Sequence, residues 1–202
     1  VPTVDDEFFI NLRTLRNRAK FHFSVVFSLS RSLEAVLDPG ILADYYEFIA
    51  GHLVFLPLFD KPTTQFRVGY IEKLTNKELS KQEKEQIITL TGGSGKLIKL
   101  AVESILANGP LEKDMTEFLL DRRSIQTALQ EVWLSLSPAE QSDIFKGRFE
   151  DKQIVSYLEE VGLVKDKQLQ IPLLAKYLTN SSHSTSASTQ QIIYDENTNT
   201  IK

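Results

Sequence analysis

The residues of this chain that could do chemistry are few, and the most suggestive are Gly92-Gly93-Ser94-Gly95-Lys96-Leu97. A phosphate cradle needs glycines that let backbone N–H groups close round an anion. It also needs a lysine and a Ser or Thr hydroxyl for magnesium, set between a strand and a helix. Leu97 stands where that hydroxyl is required, and the preceding Lys81 to Leu90 has helical spacing. The segment therefore reads as a helix-loop-helix turn, with glycines ending one helix and Ser94 capping the next. Ser28-Leu29-Ser30-Arg31 follows an apolar run that reads as a buried strand, Phe21 to Ser28. Ligands of open α/β sheets gather outside the carboxyl ends of strands, where Ser28, Ser30 and Arg31 would reach a phosphate. Equally, Ser30 would cap a helix over 31–37. Asp5-Asp6-Glu7 imitates the acidic pair that holds magnesium in an ATPase, but Val1-Pro2-Thr3-Val4 is short and carries proline. These carboxylates are assigned to a helix N-terminus, and no catalytic residue is assigned.

The composition narrows the chemistry further. The chain has 202 residues and no cysteine, so it has no disulfide framework, thiolate metal site or cysteine nucleophile. Its three histidines, His22, His52 and His183, are scattered and assemble no metal set. Lys and Arg number 23 against 27 Asp and Glu, a net charge of −4 that excludes a generally basic nucleic-acid-coating protein. No apolar run has the length to cross a bilayer and no signal peptide opens the chain, so a cytoplasmic setting is expected. Val1 and Lys202 read as the ends of a fragment.

Three patterns must position these residues. Over 1–60 helix and strand alternate: Phe8, Phe9, Leu12, Leu15 and Ala19 at helical spacing, the strand at 21–28, and a second short strand at Leu53 to Leu58. Over 61–110 only amphipathic helices follow, at Phe66–Leu74, Lys81–Leu90 and Leu97–Leu106, and Asn108-Gly109-Pro110 stops them. Over 111–180 come helices at Ser124–Leu136, Pro138–Phe145 and Asp151–Val161. A hairpin turning at Asp166-Lys167 and a helix through Leu173 to Leu178 complete the order of a winged helix-turn-helix. Trp133 and Phe145 share helical spacing with Leu129, Leu136 and Ile144 and read as core. Residues 181–190 form a Ser/Thr-rich linker, and 191–202 read as the first hairpin of another domain, cut short. The expected fold class is α+β, predominantly helical.

The winged-helix segment invites a DNA-binding reading through Lys152, Lys165 and Lys167. Residues 121–180, however, hold eight Lys/Arg against nine Asp/Glu, and Asp151, Glu159 and Glu160 surround Lys152. A helix that enters the major groove approaches dense phosphate charge and needs basic neighbours. Packing against protein suits this module better.

The order of parts resembles bacterial STAND/AAA-type P-loop ATPases over nearly the whole chain. Phe8 to Arg18 and the strand ending in Ser28-Leu29-Ser30-Arg31-Ser32-Leu33 resemble the stretch after the magnesium-binding strand, and 53–58 resembles the last strand of the nucleotide-binding sheet. Leu90 to Leu97 and its flanking helices resemble the helical lid. Gly162-Leu163-Val164 and Pro172 to Leu178 resemble the winged helix that follows it, and the last hairpin resembles the opening of a response-regulator-type DNA-binding domain. The resemblance implies ATP or ADP with Mg2+ in an intact parent protein, touched by Ser28, Ser30, Arg31, Gly93, Ser94, Gly95 and Lys96, and no cofactor for this chain alone. It implies as partners the upstream nucleotide-binding portion of the same protein, DNA through a downstream domain, and an oligomer, with no membrane. Two departures stand out. Gly95 occupies the slot where relatives often carry a proline on adenine, and Lys96 is the nearest cation where relatives carry an arginine. Hydrolysis by this chain alone is not expected, since the phosphate cradle supplies most of the positioning. Two readings from other classes are a winged-helix transcription regulator and a non-catalytic protein-interaction scaffold.

Overall fold

A computed structural model describes residues 6–29, 54–108 and 114–185. Ser30 and Arg31, the predicted 31–37 helix and the 191–202 hairpin lie outside the described residues. The chain divides into two compact units, Val1–Leu56 and Pro57–Lys202.

In the first unit α1 spans Asp6–Ala19, with Phe9 buried and its ring edge-on to Phe8 at 5.3 Å. The predicted strand at 21–28 is not formed. Lys20–His22 makes a single 3-10 turn, Phe23 leaves it in extended conformation, and 23–29 joins no ladder. Likewise 54–58 pairs with no strand. A β-rich run becomes a strand only beside a neighbour, and among the described residues the one sheet is a two-stranded hairpin elsewhere. Val26, Val54 and Leu56 are accordingly 92%, 77% and 83% exposed.

The second unit is built of helices: α2 Lys61–Thr75, α3 Lys81–Thr91, α4 Gly95–Asn108, α5 Met115–Leu120, α6 Arg123–Leu134, α7 Pro138–Lys146 and α8 Lys152–Glu160. Then come β1 Val164–Lys165, β2 Gln168–Leu169 and α9 Pro172–Thr185. Their beginnings are written locally. Asp60 accepts from the Thr63 N–H at the head of α2, while Ser80 with Glu83 and Ser137 with Glu140 close capping boxes on α3 and α7. Asp166 and Lys167 both take positive φ between the antiparallel strands, as a tight hairpin requires. Helix α9 runs past the expected end at Leu178 and takes in 181–185 of the expected linker, and α5 lies in a stretch given no element by sequence.

One apolar core runs through the whole unit. Val68 of α2, Ile87 of α3, and Leu97, Ile98 and Ile105 of α4 join Leu129, Leu158, Ile171 and Leu174 in one cluster. Trp133 and Ile144 pack against its edge, but Phe145, expected in the core, is 62% exposed. Helix α7 has no buried residue, so it touches the core along one narrow line, and Phe145 sits a hundred degrees round from Ile144. Helices α2 and α3 are further joined through Glu72, which is 8% exposed. Its carboxylate accepts from the Leu79 N–H at 2.6 Å and pairs with Lys84 at 2.9 Å. A buried charge is tolerated only with such partners.

Candidate functional site

The turn between α3 and α4 has the form expected from the sequence. Gly92 caps α3 in the left-handed conformation with φ 54°, and Gly93 continues it at φ 85°. Ser94 stands at the N-cap of α4: its N–H donates to the Thr91 carbonyl and its own carbonyl accepts from Ile98. Gly93 and Ser94 are buried, Gly95 is half-buried and Lys96 is exposed.

The glycines here face other parts of the chain. The Phe59 N–H donates to the Gly93 carbonyl at 2.9 Å. A Cβ on Gly93 would run into the Phe59 carbonyl, and one on Gly95 would lie 3.1 Å from the Phe59 ring. A Cβ on Gly92 would strike the Gln170 carbonyl just after β2. At the end of α8, Gly162 has φ 73°, and a Cβ there would come within 2.9 Å of the Leu58 nitrogen. Three segments far apart in sequence thus meet backbone to backbone: the lead-in 57–59, the turn 92–95, and the two ends of the hairpin at Gly162 and Gln170. Only glycine allows main chains so close.

These contacts set what the turn packs against. Phe59 covers it, with its N–H on Gly93 and its ring over Gly95, and the Lys96 ammonium is held by the Glu131 carboxylate. Phe59 thus takes up the Gly93 carbonyl and the space beside Gly95. Ser28, the other described member of the expected nucleotide set, is exposed and belongs to the first unit.

The expected DNA contacts are dispersed. Lys152 opens α8 while Lys165 and Lys167 lie on the hairpin, and all three are exposed. The start of α8, where a helix offers unsatisfied N–H groups to an anion, is occupied by Asp151, which accepts from Gln153 at 2.8 Å and Ile154 at 3.3 Å. Glu159 and Glu160 are exposed at its other end.

Among the described residues no three His, Asp or Glu side chains gather to hold a metal ion, and no helix is long and apolar enough to cross a membrane. Sequence reasoning missed Phe59 and Glu72. The signal for Phe59 was present: Asp60 followed by Pro62 is a helix start, which leaves Phe59 just outside as a free anchor. Nothing local distinguishes Glu72 from an exposed glutamate. No family model matches the chain, and no curated protein and no solved structure matches it.

Proposed function

We propose that this chain is the relay portion of a nucleotide-dependent regulatory ATPase, in which the helices over 61–110 are the lid and 111–180 the winged helix. The observation that carries the reading is the junction at Gly92–Gly95. It ties the lead-in 57–59 to the lid through Gly93 and to the hairpin through Gly162, and the lid to the hairpin through Gly92 and Gln170. A displacement of 57–59 is passed to both parts at once, and the continuous core makes lid and winged helix move as one body. Nucleotide is held by the upstream portion of the same protein, because the turn itself is filled. The exposed apolar residues of 23–29 and 54–56 fit edge strands awaiting neighbours from that portion. The moving body then hides or frees a DNA-binding domain beyond α9.

Limited proteolysis of the intact protein tests this reading. Cleavage beyond α9, within 186–190, is expected to change between ATP-bound, ADP-bound and nucleotide-free protein, and identical patterns in all three overturn it. The winged-helix transcription regulator is the weaker reading, because Asp151, Glu159 and Glu160 occupy the helix that would enter the groove. Salt-sensitive retardation of duplex DNA by this chain would restore it.

A further inference from the structure

Helix α2 is apolar on two separate faces. Thr64, Val68 and Ile71 turn inward and are 1%, 1% and 5% exposed. Phe66, Tyr70 and Leu74 recur every fourth residue on the other side and are 76%, 45% and 68% exposed. At about 100° per residue these three cover an arc of roughly 80°, centred roughly 130° round the helix from the core-facing residues, and they run about 12 Å along the axis. Single exposed apolar residues are ordinary, but an aligned stripe two turns long on a helix already anchored behind is the shape that receives a second helix.

The charges along the stripe say which kind. Arg67 and Lys73 border it on either side, and the Arg67 guanidinium sits over the Tyr70 ring at 5.7 Å. Three other charges on or beside α2 are engaged elsewhere. Lys61 pairs with Glu85 at 3.0 Å, Glu72 is buried with Lys84, and the Lys77 ammonium donates to the Leu106 carbonyl at 2.8 Å. The outward half of α2 therefore carries two cations and no carboxylate.

We infer that this face docks an acidic amphipathic helix of a protein partner. Its apolar side would lie on Phe66, Tyr70 and Leu74, with carboxylates flanking it toward Arg67 and Lys73. A second copy of α2 would set cation against cation. A nucleic acid would be opposed by the chain's net charge of −4. The inference uses neither the nucleotide nor the glycine junction, so it stands or falls separately from the proposed function.

The test uses two fluorescein-labelled synthetic helices with leucines at i, i+4 and i+7. One is flanked by glutamates and its twin by lysines, and both are titrated against the chain by anisotropy. The glutamate helix is expected to bind at least about tenfold more tightly than its twin. Phe66→Ser with Leu74→Ser should abolish binding, and Arg67→Glu with Lys73→Glu should reverse the preference. Phe66, Lys73 and Leu74 are exposed and Arg67 is half-buried, so the melting temperature of the Phe66→Ser/Leu74→Ser variant should match the parent's and separate lost docking from lost folding. No binding of the glutamate helix, equal binding of the twins, or variants that bind like the parent overturn the proposal. So do two other results, each if Phe66→Ser abolishes it: a concentration-dependent dimer, and sedimentation with phosphatidylserine–phosphatidylcholine vesicles.

Discussion

Gly92 and Gly147 end their helices in the same way and live in opposite surroundings. Each is the left-handed cap of a helix, with φ of 54° and 62°. A side chain at Gly147 would meet nothing within 4 Å, whereas one at Gly92 would enter the Gln170 carbonyl. Gly147 is a local device that any residue tolerant of positive φ could imitate. Gly92 also permits a distant backbone to approach, and no other residue can. This difference also explains why Gly92-Gly93-Ser94-Gly95 invites comparison with a phosphate cradle. A bare backbone is as suitable for another main chain as for an anion, and here Phe59 and Gln170 have taken it.

The comparison can be broken at several points. The largest effect is expected from Gly92→Ala, which adds about 1–2 kcal/mol for the left-handed backbone to about 1–3 kcal/mol for the overlap with Gln170. The thermal midpoint should fall by roughly 10 °C. Gly147→Ala carries only the backbone cost, about 1–2 kcal/mol, and a drop of about 2–6 °C in the same scan. Equal shifts for the two variants would show that the Gly92–Gln170 approach relaxes easily. A control of opposite sign is Gly69→Ala, inside α2 with open space around it. It should stabilise the chain by about 0.5–1 kcal/mol.

The smallest effect is expected at Asp60, beside Phe59 at the head of α2. The side-chain hydrogen bond with Thr63, followed by its backbone N–H, lowers the Asp60 pKa below the ordinary 3.8. A carboxylate with a lowered folded pKa stabilises the fold above its unfolded pKa and loses that contribution as pH falls through the folded value. Stability measured between pH 5 and the acid limit should therefore fall less steeply in Asp60→Asn, which keeps an accepting oxygen without the charge. Identical acid profiles would remove Asp60 from the account of how 57–60 is anchored.

Much of the second unit is legible in the sequence because helix starts and turns are local. Ser80 with Glu83, Ser137 with Glu140, Asp151 and the Asp166-Lys167 turn all act within four residues of themselves. The segments that sequence misjudges are those whose fate depends on neighbours. Residues 21–28 have strand composition but no described partner strand, and Phe145 has core composition on a helix that only grazes the core. The outward stripe of α2 is concealed in the same way, since Phe66, Tyr70 and Leu74 are as apolar as Val68 and Ile71 and only packing tells the two faces apart.

By itself, then, the sequence determined where most helices of 57–185 begin and end, the hairpin turn and the predominantly helical class, because capping and periodicity act over a single turn of chain. The tertiary structure alone decided that the glycine turn is a meeting of backbones, that Lys96 is committed to Glu131, and that one face of α2 stays open. Those outcomes depend on segments such as Phe59, Gly93 and Gln170 coming within bonding distance across long stretches of chain. No local pattern of residue types encodes that distance.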